Sequence, residues 1–375
     1  MQKSDIPSST QRCVALLGRK DEPTDAVEEY CQHLGEAISS LGFSFELQRV
    51  RWLEIGWQAA LGELEKTLGN AEGSWFFLQY TALAWSQRGF SHRALKILKL
   101  LRRNGARCAV VFHDAEAYSG ARMIDKIRRA VQLRTMQKLL RLADLAVLTI
   151  PPEIIPWVPS ASHNCVTIPV GANVPSPEKA WSQAKLSGQP PTIAVFSLSD
   201  GSAGADEVQL VADALHYAVA QTNPLRLTIL GRNSDTSGKQ LRALLAGTPV
   251  QVDILGLLKP EEVVQVLGSC DVMLFVRGPI STRRSSAVAG IACGLPVVGR
   301  AGWETGPPLT QAGIALVPEQ DQGRFGPTLV RVLSDPPYRA ELAQRSRQAQ
   351  ERYFSWRAIA AQYAEALQTN VRNDP

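Results

Sequence analysis

At 375 residues and 45% hydrophobic content, the chain is long enough for two ordinary globular domains of about 150–200 residues each. It contains no apolar run of 18 residues and no signal-peptide core, so we expect neither a membrane span nor export. Its six cysteines are scattered, without CxxC pairs or metal-type spacing, which favours buried, reduced thiols in a cytoplasmic protein.

The net charge of +5 is unevenly distributed along the chain. Between Arg88 and Arg141, fourteen Lys and Arg residues stand against three acidic residues. Helices predicted over 88–103 and 122–141 place one apolar face toward the core, through Leu95, Leu98, Ile124, Ile127, Val131 and Leu139. The cations then form either a solvated face or a contact for an anionic membrane. Nucleic acid is not expected, because no recognition motif accompanies the charge.

In chain order, the first half alternates predicted strands with predicted helices. The predicted strands are 13–17, 44–50, 75–80, 108–112, 145–150 and 166–169. The predicted helices are 25–41, 53–68, 92–103 and 122–142. Such alternation is typical of a doubly wound parallel sheet.

A Pro- and Ser-rich stretch over 174–191 interrupts this pattern and is predicted to link a domain 1–173 to a second domain 192–352. Predicted strands follow at 192–197, 225–231, 250–255, 271–276 and 295–298. Predicted helices are 205–219, 239–245, 260–267, one after Arg284, 326–333, 337–349 and 355–367. The fold class is therefore α/β, with two doubly wound Rossmann-like domains whose strand ends would face a cleft.

The loop after the strand 271–276 is the strongest candidate for an anion site. Arg283 and Arg284 precede a helix of small residues that Ser285 can cap, and helix N-termini favour anions. We therefore predict that the two arginines bind a phosphate or diphosphate. Further candidates at this place are Ser281, Ser285, Ser286 and, after the next strand, Glu304.

Other candidate residues also follow predicted strands. In the second half, Arg232 and Lys239 can contact a diphosphate, and a small-residue loop over 199–204 can form a nest of N–H groups. In the first half, His113 can hydrogen-bond a sugar hydroxyl or a developing oxyanion. The remaining predicted binding residues are Gly18, Arg19, Asp114 and Gly231. No dinucleotide fingerprint or P-loop is present.

The segment 271–318 resembles the nucleotide-sugar half of family 4-like glycosyltransferases of the GT-B fold. The resemblance runs in order from about 191 to 367. Its residues are Ala292-Cys293-Gly294-Leu295-Pro296-Val297-Val298, Gly313, Val317-Pro318, Leu230-Gly231-Arg232, Leu255-Gly256 and Phe354-Ser355-Trp356. The family usually carries two glutamates with seven residues between them, for the sugar and the ribose, where this chain has Ser281 and Ala289.

The resemblance implies a glycosyltransferase that moves a sugar from a nucleoside diphosphate donor to a glycan or lipid-linked acceptor in cell-envelope or polysaccharide biosynthesis. It also implies retention at the anomeric carbon, no metal or cofactor, and a last helix in 353–375 that crosses back to the first domain. The expected location is cytoplasmic, with a peripheral position on the inner face of the membrane as a further expectation. The alternatives are a non-catalytic GT-B protein that binds a nucleotide, glycan or partner, and an epimerase of the same fold.

Overall fold

The computed structural model describes residues 10–69, 71–160, 162–175, 177, 189–222 and 224–372, which form two compact units. The first unit comprises the chain up to Pro169 together with the chain from Trp356 onward, and the second unit is Val170–Ser355. Most of the predicted linker 174–191 lies outside the described residues, so the predicted domain limits stay a prediction.

The first unit contains a six-stranded parallel sheet in the order β2-β1-β3-β4-β5-β6. Its strands are β1 (Gln11–Leu17), β2 (Phe43–Arg49), β3 (Trp75–Tyr80), β4 (Arg107–Phe112), β5 (Leu145–Leu148) and β6 (Cys165–Thr167). Its helices are α1 (Ala26–Ser39), α2 (Trp52–Ile55), α3 (Trp57–Thr67), α4 (Ala94–Arg103) and α5 (Met123–Leu142). Every residue of β3 is buried, as expected for a parallel strand with both faces covered.

The second unit contains another six-stranded parallel sheet, in the order β12-β11-β10-β7-β8-β9. Its strands are β7 (Thr192–Phe196), β8 (Leu225–Leu230), β9 (Val250–Gly256), β10 (Val272–Phe275), β11 (Val297–Arg300) and β12 (Ile314–Val317). Its helices are α6 (Gly201–Val219), α7 (Ser234–Leu244), α8 (Pro260–Ser269), α9 (Ser285–Ala292), α10 (Phe325–Ser334) and α11 (Pro336–Ala349). The short edge strand β12 was not predicted from the sequence.

Helix ends in the second unit differ from those predicted. Helix α7 begins at Ser234, five residues earlier than predicted, after Asn233 in the left-handed conformation, which asparagine tolerates. Ser285 is the first helical residue of α9, while Arg284 holds the cap position and no side-chain hydrogen bond caps the helix. The prediction that Ser285 caps α9 is therefore wrong.

The predicted core face of α5 is wrong at its N-terminal end. Ile124 and Ile127 are 44% and 53% exposed. Asp125 lies inward instead, with its carboxylate 3.1 Å from Arg122 and 2.7 Å from Arg128. Because a buried carboxylate is stable only when it is paired, these two arginines fix which side of the helix faces the core.

The C-terminal helix α12 (Trp356–Arg372) belongs to the first unit, where it packs on α1. The buried hydroxyls of Tyr30 and Tyr363 lie 2.8 Å apart, and the ring of His33 stacks on Trp356 at 5.2 Å. Among the described helices, none is both long and apolar enough to cross a bilayer.

Candidate functional site

Each sheet has one point where its strand order reverses, and doubly wound sheets bind ligands beside this point, outside the carboxyl ends of the strands. In the second unit the reversal lies between β7 and β10, and in the first unit it lies between β1 and β3. Most of the predicted site residues lie on the loops that follow these strands and their neighbours.

The loop between β10 and α9 carries two arginines with spare hydrogen-bonding capacity. In the described part of the chain, the Nε atoms of Arg277 and Arg284 are buried and have no hydrogen-bond partner. Gly278, with φ of 68°, turns the backbone between them, and Nη2 of Arg284 lies 3.8 Å from where a Cβ on this glycine would be. We call Arg232, Arg277, Arg283 and Arg284 the arginine cluster.

The charges in the arginine cluster are coupled. Burial lowers the pKa of Arg284 to about 10, and the neighbouring charges of Arg283 and Arg277 act in the same direction, while Glu304 and Glu207 oppose them. Burial is also the main reason that the pKa of Arg277 lies below its usual value, with Glu207 opposing this effect and Arg232 adding to it. Both groups stay protonated at neutral pH, so a bound anion would relieve the cost of burying their charge.

Arg283 is neutralised by Glu304. Its Nε and Nη2 atoms each donate to a Glu304 carboxylate oxygen at 2.6 Å, in the two-pronged geometry that arginine prefers. Burial opposes ionisation of Glu304, which is 4% exposed, but the bond with Arg283 outweighs it and holds the pKa of the carboxyl below its usual value. Glu304 therefore fixes the position of the Arg283 side chain.

The predicted serines of this loop occupy different environments. Ser285 and Ser286 are half-buried in the first turn of α9, where backbone N–H groups have no partner within the helix. Ser281 is fully buried, and its hydroxyl makes no hydrogen bond to any residue that the structure describes, although it lies near enough to Glu304 to favour a lower pKa of that carboxyl. Ser281 therefore lies in the interior near Glu304, while Ser285 and Ser286 present donors at the helix N-terminus.

The loops after β7 and β8 are packed against each other. Glu207 accepts hydrogen bonds from the Ser199 backbone N–H and hydroxyl, both at 2.7 Å. Gly231 has φ of 88°, and a Cβ there would lie 2.5 Å from the Ser197 hydroxyl, so this loop requires glycine for packing. Within the predicted nest at 199–204, residues 201–204 form the first turn of α6, which begins at Gly201.

The two other predicted cations of the second unit differ in position. Arg232 is half-buried, and its backbone N–H donates to the Ser197 hydroxyl at 3.3 Å. It lies close enough to Arg277 to lower the pKa of that residue. Lys239 is exposed in the middle of α7, more than a turn from the helix start, because this helix begins earlier than predicted.

In the first unit, a cavity of about 190 Å³ lies beside the reversal point between β1 and β3. Its lining includes Gly18, Arg19, Arg49 and Gln79. Gly18 is required there because a Cβ would collide with the carbonyl oxygen of Ala84, which also accepts the Arg19 N–H at 2.8 Å. The two predicted residues Gly18 and Arg19 thus border a cavity.

His113 and Asp114 follow β4 and are both engaged with the protein. The His113 Nε2 atom lies 2.8 Å from Oε1 of the buried Gln79, and Asp114 accepts the backbone N–H of Ala82 at 2.9 Å. Burial lowers the pKa of His113 to about 4, so its imidazole is neutral at physiological pH. Its ring also contacts that of Tyr30 edge-on at 5.3 Å.

The sequence interpretation missed three residues of these sites. Arg277 lies two residues after the end of β10. The rule that pointed to Arg232, which lies just after β8, could therefore have found Arg277 as well. Glu207 lies within α6 and Gln79 within β3, where only tertiary contacts show their roles. Within the described residues, no group of three or more potential metal ligands comes together.

Comparison with known families gives a match within the second unit. Residues 194–335 match the family model described as glycosyl transferases group 1. These residues of the second unit are similar to a group 1 glycosyl transferase domain. The matched range includes the whole arginine cluster. No curated protein sequence matches the chain.

Solved structures of GT-B glycosyltransferases share the fold over both units. Sucrose-phosphate synthase from Thermosynechococcus elongatus aligns with a TM-score of 0.68 at 18% identity, covering 97% of this chain and 100% of that one. HepE of Anabaena, in complex with UDP and glucose, aligns at 0.63 and 14% identity over 96% and 100% of the two chains. WaaG, a glycosyltransferase involved in lipopolysaccharide biosynthesis, aligns at 0.63 and 12% identity over 95% and 99%.

These findings confirm the predicted family resemblance and the predicted fold class of two Rossmann-like domains. The class of enzyme predicted for the glycosyl transferase domain is confirmed as well. The individual site residues, the donor and the acceptor stay predictions.

Proposed function

We propose that the protein transfers a sugar from a nucleoside diphosphate donor to a hydroxyl of a glycan or lipid-linked acceptor. The observation that carries the proposal is the pair of buried, unpaired Nε atoms of Arg277 and Arg284 beside the N-terminus of α9. A diphosphate would supply acceptor oxygens for these two Nε atoms and would offset the excess of positive charge in the arginine cluster.

In the proposed mechanism, the leaving diphosphate gains negative charge as the bond to the sugar breaks. Arg277 and Arg284 would stabilise this charge from their partly buried positions beside α9, because fixed positive groups at a leaving group lower the barrier. Arg283 is kept in its conformation by Glu304 and adds to the local positive potential. Ser285 and Ser286 would offer their backbone N–H groups to the same phosphate oxygens.

We propose a metal-independent reaction, because guanidinium groups can supply the positive charge that a divalent cation otherwise brings to a diphosphate. Retention at the anomeric carbon is also part of the proposal and is supported by the family resemblance alone. The cavity beside Gly18, Arg19 and Gln79 is the proposed place for an acceptor hydroxyl or the donor sugar, with His113 as a neutral hydrogen-bonding group behind Gln79.

A role in cell-envelope or polysaccharide biosynthesis, at the inner face of the membrane, completes the proposal. It is supported by the fold shared with WaaG, whose own role is in lipopolysaccharide biosynthesis, and by the basic segment 88–141. The competing function is a non-catalytic protein that binds the nucleotide sugar. The residues Ser281 and Ala289, where the family usually carries glutamates, favour that alternative.

The proposal is tested by release of nucleoside diphosphate from a panel of UDP, GDP, ADP and TDP sugars, with and without glycan and lipid-extract acceptors. We expect one donor to lose its sugar only when an acceptor is present. Replacing Arg284→Gln should lower kcat/KM by about a hundredfold, because a fixed charge at the leaving group is lost. The exposed control Arg324→Gln should behave like the wild type.

Binding of one nucleotide without transfer to any acceptor would favour the non-catalytic function. Equal activity of Arg284→Gln and Arg324→Gln would contradict the proposed role of the arginine cluster.

A further inference from the structure

One face of α5 is exposed along its whole length. Residues three or four positions apart lie on the same side of a helix, and six residues of α5 at this spacing are all exposed. We call them the α5 face: Met123, Ile127, Ala130, Arg134, Lys138 and Arg141. Met123 is 71% exposed, and Ile124, beside it, adds a third large aliphatic side chain.

The α5 face has an apolar part and a cationic part. Met123, Ile124 and Ile127 project from the first two turns, and the cations Arg134, Lys138 and Arg141 follow in the later turns. A single exposed aliphatic side chain needs no explanation, but three within five residues form a patch that water solvates poorly. A partner with an apolar interior and an anionic surface would satisfy both parts.

Contacts on the inward side of α5 fix its rotation about the helix axis, so the α5 face stays exposed. Asp125 is buried and paired on the inward side. On the same side, the Gln132 side chain accepts the Tyr118 N–H at 2.7 Å and donates to the Gly89 carbonyl at 2.8 Å. Met123 and Ile127 cannot rotate into the core without breaking these bonds.

The neighbouring helix extends the positive surface. Helix α4 packs on α5 and exposes Lys96, Lys99 and Arg103. Arg128, by contrast, turns inward to Asp125, so it is not part of this surface. Glu116 is an exposed acidic residue in the loop before α5, and it leaves the cations in excess.

We propose that the α5 face docks on an anionic lipid bilayer, with Met123, Ile124 and Ile127 entering the boundary between headgroups and acyl chains and the three cations at the lipid phosphates. The inference deepens the membrane location within the proposed function. A second copy of the α5 face would satisfy only the apolar part, because it brings no anionic groups to the three cations.

The test is flotation of the full chain with vesicles of phosphatidylcholine alone or with a third of the lipid as phosphatidylglycerol. We expect flotation only with the anionic vesicles. The variant Met123→Ser/Ile127→Ser, which keeps every charge, should partition at least about tenfold more weakly because two aliphatic side chains no longer insert. The matched control Leu244→Ser/Leu257→Ser removes two exposed aliphatics of the second unit and should float like the wild type.

An independent variant, Ile127→Trp, reports insertion directly. Its fluorescence should shift to the blue with anionic vesicles and be quenched by brominated acyl chains. Equal flotation of wild type and Met123→Ser/Ile127→Ser, no flotation at all, or a dimer that the double variant dissociates would each overturn the proposal. Since these variants leave the arginine cluster intact, nucleotide binding should be unchanged, which separates a failure here from a failure of the proposed function.

Discussion

At the scale of residues, the arginine cluster shows how a buried site is prepared for an anion. Glu304 takes up the charge of Arg283 with two hydrogen bonds, while Arg277 and Arg284 keep unpaired Nε atoms in the interior. If every arginine in the cluster were paired with a carboxylate, binding a phosphate would add little stabilisation. The incomplete compensation in this loop therefore favours a strongly anionic ligand.

The variant Glu304→Gln tests this charge balance through stability. Loss of the carboxylate leaves Arg283 without its counter-charge, so we expect the free energy of unfolding at pH 7 to fall by about 2 kcal/mol in urea denaturation. Because the bond with Arg283 holds the pKa of Glu304 below its ordinary value, the wild type loses this stabilisation at acid pH, as the carboxyl takes up its proton. The variant should lack that acid-dependent loss.

The same variant should bind a nucleoside diphosphate more tightly, since the arginine cluster gains net positive charge. The exposed Glu351→Gln serves as the control for both measurements. Unchanged stability together with weaker nucleotide binding would show that Glu304 contacts the ligand rather than holding Arg283.

At the scale of elements, the strands were largely predictable and the site was predictable in part. Short apolar runs that closely follow Gly73 and Gly105 located β3 and β4 to within about one residue. The rule that ligands lie at strand ends drew attention to the loop before α9, which carries three residues of the arginine cluster. The pairing of Arg283 with Glu304 could not be predicted, because it joins residues on two different loops. The burial of Asp125 could not be predicted either, because it depends on which side of α5 packs on the core.

The packing of α12 on α1 gives a prediction at this scale. Tyr30 and Tyr363 share one buried hydrogen bond, so Tyr363→Phe should leave the Tyr30 hydroxyl unpaired and lower the free energy of unfolding by about 1–3 kcal/mol. The double variant Tyr30→Phe/Tyr363→Phe should cost less than the sum of the single variants, because it removes both polar groups. Strict additivity in urea denaturation would contradict this coupling.

At the scale of the whole molecule, the two units carry different kinds of positive charge. The arginine cluster of the second unit is partly buried and specific in geometry, which suits a small diphosphate. The cations of the α5 face in the first unit are exposed and accompanied by aliphatic side chains, which suits an extended lipid surface. The two sets of cations can therefore be tested by separate variants with separate measurements.

The central claim is that the arginine cluster recognises the diphosphate of a sugar donor. Its most direct test is calorimetric titration of the wild type and Arg284→Gln with the preferred nucleoside diphosphate and with the corresponding monophosphate. We predict that the wild type binds the diphosphate at least about tenfold more tightly, and that Arg284→Gln removes most of this difference while changing monophosphate binding little. Equal losses for both nucleotides, or no loss for either, would contradict the claim.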